Sequence, residues 1–172
     1  MTIRGKKVVL RPVRLDDAPR FVAWFNNPSV NRYLHIRKLT LPEEKQWVKT
    51  RKKERPQTTF AIDTSEGIHV GSTSLILDKR NNNASFGIMI GEPRYWGRGL
   101  GSETVQLMLD LAFRKMKLHR VELKVYSYNP RARKVYIRAG FCNEGIKREH
   151  VRFGGKYHDV HMMSILQREW LE

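Results

Sequence analysis

The sequence predicts a mixed α/β fold in which helices flank a mostly antiparallel sheet. Three observations lead to this class: helix-like runs come early, three strand-like runs joined by short turns follow, and strands then alternate with helices. The 172 residues, 40% of them hydrophobic, suffice for a sizeable core, and no repeat or Gly/Ser linker marks a boundary. We therefore expect a single domain over residues 1–172.

The first half of the chain supplies two helices and four strands. KKVVLRPVRL is strand-like, and Phe21, Trp24 and Phe25 lie at helical spacing in DDAPRFVAWFNN, which ends before a proline. Thr40 is the N-cap of a second helix that extends to about Arg55. Three further runs predict an antiparallel meander: TTFAID, HVGSTSLILD and ASFGIMIG.

The second half contains two helices that lie between strands. An amphipathic helix over residues 99–117 precedes the strand HRVELKVYS, a short helix in NPRARKVYIRAGF and a final hairpin with a Gly-Gly turn. Because the first of these helices crosses over between strands 84–91 and 120–127, those strands are expected to pair in parallel. The predicted sheet is therefore twisted and mostly antiparallel, with a central parallel pair and about four flanking helices.

The charge of the chain is strongly positive. Lys and Arg number 33 against 17 Asp and Glu, which gives a formal net charge of +16. Such a chain attracts anionic partners, although a solvated basic face without a ligand would have the same composition. The single Cys142 excludes an internal disulfide, and the first apolar run is too short for a signal peptide or a membrane span. We expect a cytoplasmic protein.

The stretch WGRGLG places three glycines between a strand and a long helix. Glycine lets backbone N–H groups converge on a ligand, and the free N–H groups at a helix start attract anions. Phosphate suits such a site, and Arg94 and Arg98 add positive charge. A tight turn without a ligand is the alternative. Neither a Walker loop, which needs a lysine before the serine, nor a Rossmann fingerprint at a first strand fits.

Two separated motifs resemble the GNAT superfamily of acetyl-CoA-dependent N-acetyltransferases. One is the glycine loop, and the other is NPRARKVYIRAGF, in which Asn129, Ala132, Tyr136, Gly140 and Phe141 are in register with the family pattern. Within the superfamily the chain is most similar to the RimJ/RimL-type branch, because its start (VVLRPVRLDDAPRFVAWFNNPSV) and its end (GFCNEGIKREHVRFGGKYHDVHMMSIL) also match. The resemblance covers nearly the whole chain, and homodimers are common in the family.

The resemblance implies acetyl-CoA as co-substrate, without a metal, and assigns its pyrophosphate to the backbone amides of the glycine loop. The loop residues are Trp96, Gly97, Arg98, Gly99, Leu100, Gly101 and Ser102. Trp96 stands where the general motif has Gln or Arg. The GNAT-like fold places the cofactor where strands 84–91 and 120–127 separate.

Three further assignments follow from the resemblance. The strand residues Ile88, Met89 and Ile90 would pair their backbone with the pantetheine arm, as an added strand pairs with a sheet edge. Asn129 would hydrogen-bond the same arm near the thioester. Tyr136 would act as the general acid that protonates the leaving thiolate, although its helical position also suits a core aromatic.

The expected chemistry is direct attack of an amine on the thioester, so no enzyme nucleophile is needed. Cys142 is then expected to be a small buried hydrophobe. A strand N–H such as that of Met89 or Ile90 would stabilise the oxyanion. The general base stays open: Ser85 occupies the place where this branch often has a glutamate. The other candidates are Glu92, Glu149, His150 and His158.

The acceptor amine is not specified by any residue pattern. RimJ/RimL relatives acetylate protein N-termini, polyamines, aminoglycosides or nucleotide-linked amino sugars. A net charge of +16 disfavours polycations, so we expect a protein N-terminus, as on a ribosomal protein, or else an amino-sugar nucleotide. Two functions of other classes stay open: that of a basic nucleic-acid-binding module with stacking aromatics, and that of a non-catalytic acetyl-CoA sensor.

Overall fold

The computed structural model describes residues 1–171 and contains eight strands. They are β1 (Ile3–Arg4), β2 (Val8–Pro12), β3 (Thr59–Thr64), β4 (His69–Asp78), β5 (Asn83–Ile90), β6 (Arg120–Tyr126), β7 (Cys142–Phe153) and β8 (Lys156–Leu166). They form one sheet in the order β1-β2-β3-β4-β5-β6-β8-β7. β5 and β6 pair in parallel, whereas β1–β2, β2–β3, β3–β4, β6–β8 and β7–β8 pair antiparallel. The predicted mixed sheet with a parallel pair is confirmed.

Six α-helices accompany these strands within the described residues, against the four that the sequence predicted. They are α1 (Ala18–Asn26), α2 (Pro28–Asn31), α3 (Leu41–Lys52), α4 (Leu100–Asp110), α5 (Pro130–Arg138) and α6 (Gln167–Leu171). The two unpredicted helices, α2 and α6, are a turn or so in length. Pro28 ends α1 as expected but also begins α2, because proline suits a first helical position and the Asn27 side chain accepts from the Ser29 N–H at 3.0 Å.

The structure divides into two compact units, and the first comprises Met1–Ser74 with Ile88–Thr104. Its core combines Phe21 and Trp24 of α1 with Val48 of α3 and residues of the adjoining strands. The helical spacing of the aromatic residues therefore marks the buried face of α1. That the chain is one domain stays a prediction.

Helix α3 begins as its sequence indicates. The Thr40 N–H donates to Glu43 Oε2 at 2.8 Å, and the two residues complete a capping box. The helix ends at Lys52, slightly before the predicted boundary near Arg55. Local capping chemistry thus determines where this helix starts.

The second unit comprises Leu75–Gly87 and the chain from Val105 onward. Here β6 pairs with β8, and β7 forms the edge of the sheet. Cys142, the first residue of β7, is exposed, so the expectation that it is buried is wrong. The reason is its position, since an edge strand has a neighbour on one side only.

Two structural features are absent from residues 1–171. No helix in that range is long and apolar enough to cross a membrane. Nor does that range contain a group of three or more His, Cys, Asp or Glu side chains placed to hold a metal ion.

Candidate active site

The glycine loop, residues 96–102, lies in the first unit and leads directly into α4. Gly97 has φ +75° and Gly99 has φ +84°. Both values lie in the left-handed region, which glycine occupies without steric cost. The turn itself therefore accounts for these two glycines.

Gly101 is different, because the turn does not require it. Its φ is not positive, it lies in the first turn of α4, and a Cβ there would meet no atom within 4 Å. Glycine inside a helix costs roughly 0.5–1 kcal/mol relative to alanine. The missing side chain leaves open space beside the backbone of Gly101, as expected where a ligand approaches the backbone closely. A tight turn without a ligand leaves Gly101 unexplained.

Cationic side chains surround this loop. Lys7 Nζ donates to the Arg98 carbonyl oxygen at 3.2 Å. The guanidinium groups of Arg94 and Arg98 lie 5.4 and 5.0 Å from the centre of the Tyr95 ring. With the N-terminus of α4, these three cations make the loop electropositive, which suits a pyrophosphate.

Lys7 reaches the loop because Glu103 holds its backbone. Glu103, in the first turn of α4, accepts the N–H groups of Lys6, Lys7 and Val8 at 2.9, 2.7 and 2.8 Å. The sequence analysis missed Lys7, since 91 residues separate it from Arg98. No local pattern connects positions so far apart in the chain.

The end of β5 is tied to the same loop by Trp96. The indole Nε1–H of Trp96 donates to the Ile90 carbonyl oxygen at 2.7 Å, and its ring lies edge-on to Tyr33. Met89 is buried in the core of the first unit, while Ile88 and Ile90 are half-buried. The structure therefore brings residues 88–90 and 96–102 together. Pairing of this strand with a pantetheine arm stays a prediction.

Asn129 and Tyr136 lie on one helix of the second unit. Asn129 is the N-cap of α5, and its Oδ1 accepts from the Ala132 N–H at 3.2 Å. This bond occupies the oxygen of the side-chain amide, so its NH₂ group is the part suited to donate to a cofactor.

Tyr136 is almost fully buried, with 8% of its surface exposed. Its ring contacts Phe86 edge-on at a centroid distance of 6.3 Å and Phe141 at 5.9 Å. Burial raises the pKa of Tyr136 to about 12, because the charged phenolate is poorly solvated there. The hydroxyl therefore stays protonated at neutral pH, as a proton donor must.

The candidate bases from the sequence differ in their surroundings. Glu92 Oε1 accepts from the indole Nε1 of Trp24 at 3.1 Å, and its Oε2 lies 3.4 Å from Arg94 Nε. Glu149 is exposed and has φ +49°, and His150 is exposed as well. His158 packs edge-on against Tyr128 at 4.8 Å. Glu92 and His158 therefore have partners in the structure, whereas the side chains of Glu149 and His150 are exposed, and the base stays open.

A carboxylate that the sequence analysis missed lies beside Ser85. Ser85 Oγ donates to Glu122 Oε1 at 3.4 Å across the parallel pair of β5 and β6. The two residues are 37 positions apart, and only the strand register makes them neighbours. The sequence carried no signal for this contact beyond the predicted parallel pairing.

Glu44 of α3 is a second carboxylate without a predicted role. It is 3% exposed, and its Oε1 has no hydrogen-bond partner among the described residues. Burial raises the pKa of Glu44 to about 7. It lies one turn before the buried Val48, a spacing that could have indicated a buried face.

Comparisons with known proteins identify the family and several relatives of this chain. The model of the acetyltransferase (GNAT) domain family matches residues 7–142. The uncharacterized N-acetyltransferase p20 of Bacillus licheniformis is 29% identical, covering 98% of both chains. A spermidine N(1)-acetyltransferase of Vibrio cholerae is 30% identical over 69% of this chain and 68% of its own.

A solved structure is similar over the whole fold. The spermidine N-acetyltransferase of Vibrio cholerae, in complex with CoA and spermine, superposes with a TM-score of 0.89 at 25% identity, covering 98% of this chain and 100% of that one. The family model matches well over half of the residues. The chain belongs to the GNAT family and is an acetyl-CoA-dependent N-acetyltransferase.

Proposed function

We propose that the acceptor is the amino group of a protein N-terminus, as on a ribosomal protein, and that the chain belongs to the RimJ/RimL-type branch. The observation that carries this proposal is the charge of residues 18–55, which contain α1, α2 and α3. Within this range, residues 26–34 and 39–47 would line the acceptor side by analogy with that branch, and the basic excess lies next to them. The whole segment 18–55 has ten Lys and Arg residues against three Glu. Such a surface suits an acceptor displayed next to RNA.

None of the three glutamates in this segment offers an open carboxylate to a polycation. Glu43 pairs with Arg37 at 2.7 Å, and Glu54 pairs with Arg51. Glu44 is buried. A polyamine with two or more ammonium groups would therefore find no uncompensated negative charge here, and we expect weak binding.

The remaining roles are those of the family. The amides of residues 96–102 bind the pyrophosphate, helped by Lys7 and Arg98, and the backbone of residues 88–90 holds the pantetheine arm. The Asn129 side-chain NH₂ donates to that arm. Tyr136 donates its hydroxyl proton to the thiolate as the carbon–sulfur bond breaks.

A small-molecule acceptor is the second candidate. It is supported by the relatives whose names state spermidine N-acetyltransferase activity. A nucleotide-linked amino sugar would also satisfy the basic surface, because its phosphates carry negative charge. The two candidates differ in the acceptor alone.

The experiment that tests the proposal starts with calorimetric titration of acetyl-CoA into the purified protein. Acetyl transfer is then measured by mass spectrometry with three probes: a hexapeptide that begins with serine, spermidine and a UDP-linked amino sugar. We expect the peptide to have the highest kcat/KM. A higher value for spermidine or the sugar would favour the second candidate. Binding of acetyl-CoA without transfer to any probe would support a sensor, and salt-sensitive binding of RNA alone would support a nucleic-acid module.

A further inference from the structure

We propose that Glu122 is the base that accepts the proton of the acceptor ammonium, in place of a carboxylate at position 85. The proposal rests on the acetyltransferase function proposed above. Strand β5 carries Ser85 where the RimJ/RimL-type branch often has a glutamate. On the neighbouring strand β6, the carboxylate of Glu122 lies within hydrogen-bond distance of Ser85 Oγ.

The contact lies at a defined point of the sheet. The parallel register pairs Asn83 with Arg120, Ala84 with Val121, and Ser85 with Glu122. The Ser85–Glu122 pair is the last of the three, although both strands continue. In the GNAT-like fold the cofactor is expected where these two strands separate. Glu122 therefore sits at the end of the paired region, beside the expected place of the thioester.

Glu122, the proposed proton acceptor, and Tyr136, the proposed proton donor, lie on opposite sides of strand β5. Phe86, the next residue, is buried against the Tyr136 ring at a centroid distance of 6.3 Å. Because successive side chains of a strand point to opposite faces, Ser85 and its partner Glu122 lie on the face away from Tyr136. Amine deprotonation and thiolate protonation need different groups, and this alternation supplies them on two sides of one strand.

Glu122 is held in place without being buried. Its Oε2 accepts from Arg120 Nη2 at 3.0 Å, and 41% of its side chain is exposed. Arg120 is also paired with Glu144 of β7 through two contacts of 2.6 Å. The two carboxylates therefore share one guanidinium, so Arg120 is not paired with Glu122 alone.

Two more side chains complete the surroundings. Lys124 lies on the same face of β6, two residues from Glu122, and is exposed. Ser164 of β8 is opposite Glu122 in the antiparallel register and contributes a neutral hydroxyl. The charged groups around Glu122 are thus Arg120, Lys124 and Glu144.

Glu122 and Tyr136 each move one proton in the proposed step. The Glu122 carboxylate takes one proton from the R–NH₃⁺ group, directly or through one water molecule. The freed nitrogen lone pair forms the C–N bond at the thioester carbon, the C–S bond breaks, and the sulfur takes the Tyr136 hydroxyl proton. The nitrogen still carries two protons after the attack and releases one of them to solvent, and Tyr136 regains a proton from solvent. Glu122 also releases its proton, so that the reaction yields an amide, CoA and one proton overall.

The test compares four proteins: the wild type, Glu122→Gln, Glu144→Gln and the exchange Ser85→Glu/Glu122→Ser. Glu144→Gln is the control, because it also removes a carboxylate from Arg120 but not the one beside Ser85. The probes are the serine peptide and spermidine. The readouts are kcat/KM between pH 6.5 and 9.5, the Kd of acetyl-CoA and Tm.

We expect Glu122→Gln to lower kcat/KM about 10²-fold at pH 7 while Kd and Tm stay at wild-type values. The loss should shrink toward pH 9.5, because more of the amine is then already deprotonated. Glu144→Gln should stay within about threefold of the wild type at every pH. The exchange should restore kcat/KM to within about tenfold, since it returns the carboxylate to the same contact from the opposite strand.

Three outcomes would overturn the inference. One is a Glu122→Gln protein with wild-type kcat/KM and pH profile. Another is a loss that does not vary with pH, and the third is an exchange that folds but fails to recover activity. Failure of the proposed function looks different, because the wild type itself would then acetylate neither probe.

Discussion

The glycine loop and helix α5 use their residues in different ways. In the loop the proposed functional groups are backbone amides, so the requirement falls on torsion angles and on open space, as at Gly99 and Gly101. At α5 the proposed functional groups are two side chains, that of the N-cap Asn129 and that of Tyr136, each fixed by its own contact.

This difference explains why the loop tolerates a departure from the general motif. Trp96 replaces a Gln or Arg, yet its indole makes a new bond to Ile90 and the amides of the loop remain. A similar change at Tyr136 would remove the proposed proton donor. We therefore expect substitutions in the loop to change cofactor affinity and substitution of Tyr136 to change turnover.

The largest effect is expected for Tyr136→Phe. We predict a fall in kcat of about 10²–10⁴-fold, because the variant keeps the ring packing but lacks the acid. The Kd of acetyl-CoA, measured by calorimetry, should not change. A variant with wild-type kcat would remove Tyr136 from the mechanism.

The pH dependence of the wild type sharpens this prediction. Since burial raises the pKa of Tyr136 to about 12, the donor is lost only as the pH rises through that value. We expect no alkaline decline of kcat between pH 8 and 10 at saturating amine. A decline with a midpoint near 10 would mean that Tyr136 is solvated during turnover.

The next largest effect is expected for Gly99→Val. A β-branched residue at φ +84° is strained by about 1–3 kcal/mol, and the side chain would obstruct the amides. We predict that the Kd of acetyl-CoA rises at least about 30-fold. Gly67→Val is the control, because Gly67 has φ +86° and lies in the turn between β3 and β4. Equal affinity losses in both variants would attribute the effect to strain alone.

Asn129 tests whether one side chain can serve both the helix and the cofactor. Asn129→Asp keeps an oxygen to cap α5 but loses the NH₂ donor, so the Kd of acetyl-CoA should rise about tenfold without a change in Tm. Asn129→Ala should lose the cap as well and destabilise the protein by about 1 kcal/mol. If Asn129→Asp binds acetyl-CoA normally, Asn129 is a capping residue only.

The smallest effect on activity is expected for Glu44→Gln, which tests whether a pKa raised by burial marks function. The folded protein favours protonated Glu44, so its contribution to stability is full below pH 4.5 and is lost as the pH rises to about 7. Relative to the variant, the wild type should lose roughly 2 kcal/mol between pH 5 and 8 in urea unfolding. Activity should be unchanged. A large loss of kcat at unchanged stability would instead place Glu44 in the acceptor site.

Local patterns predicted most of the secondary structure because their causes are local. The capping box of Thr40 and Glu43, the helical spacing of Phe21 and Trp24, and the crossover helix α4 all act within a few turns of chain. The short helices α2 and α6 were missed, since runs of four and five residues are too brief for a periodic signal.

The features of the candidate site also differ in whether the sequence could predict them. By itself, the sequence determined the fold class, the parallel strand pair, the glycine loop and the resemblance of α5 to an acetyltransferase motif, because each depends on residues close together in the chain. Only the tertiary structure decided that Lys7 reaches the loop, that Cys142 is exposed, that Glu44 is buried and that Glu122 faces Ser85. These four features depend on strand register and on packing between distant segments of the chain. A shift of the register by one residue would change the neighbours of every side chain on a strand.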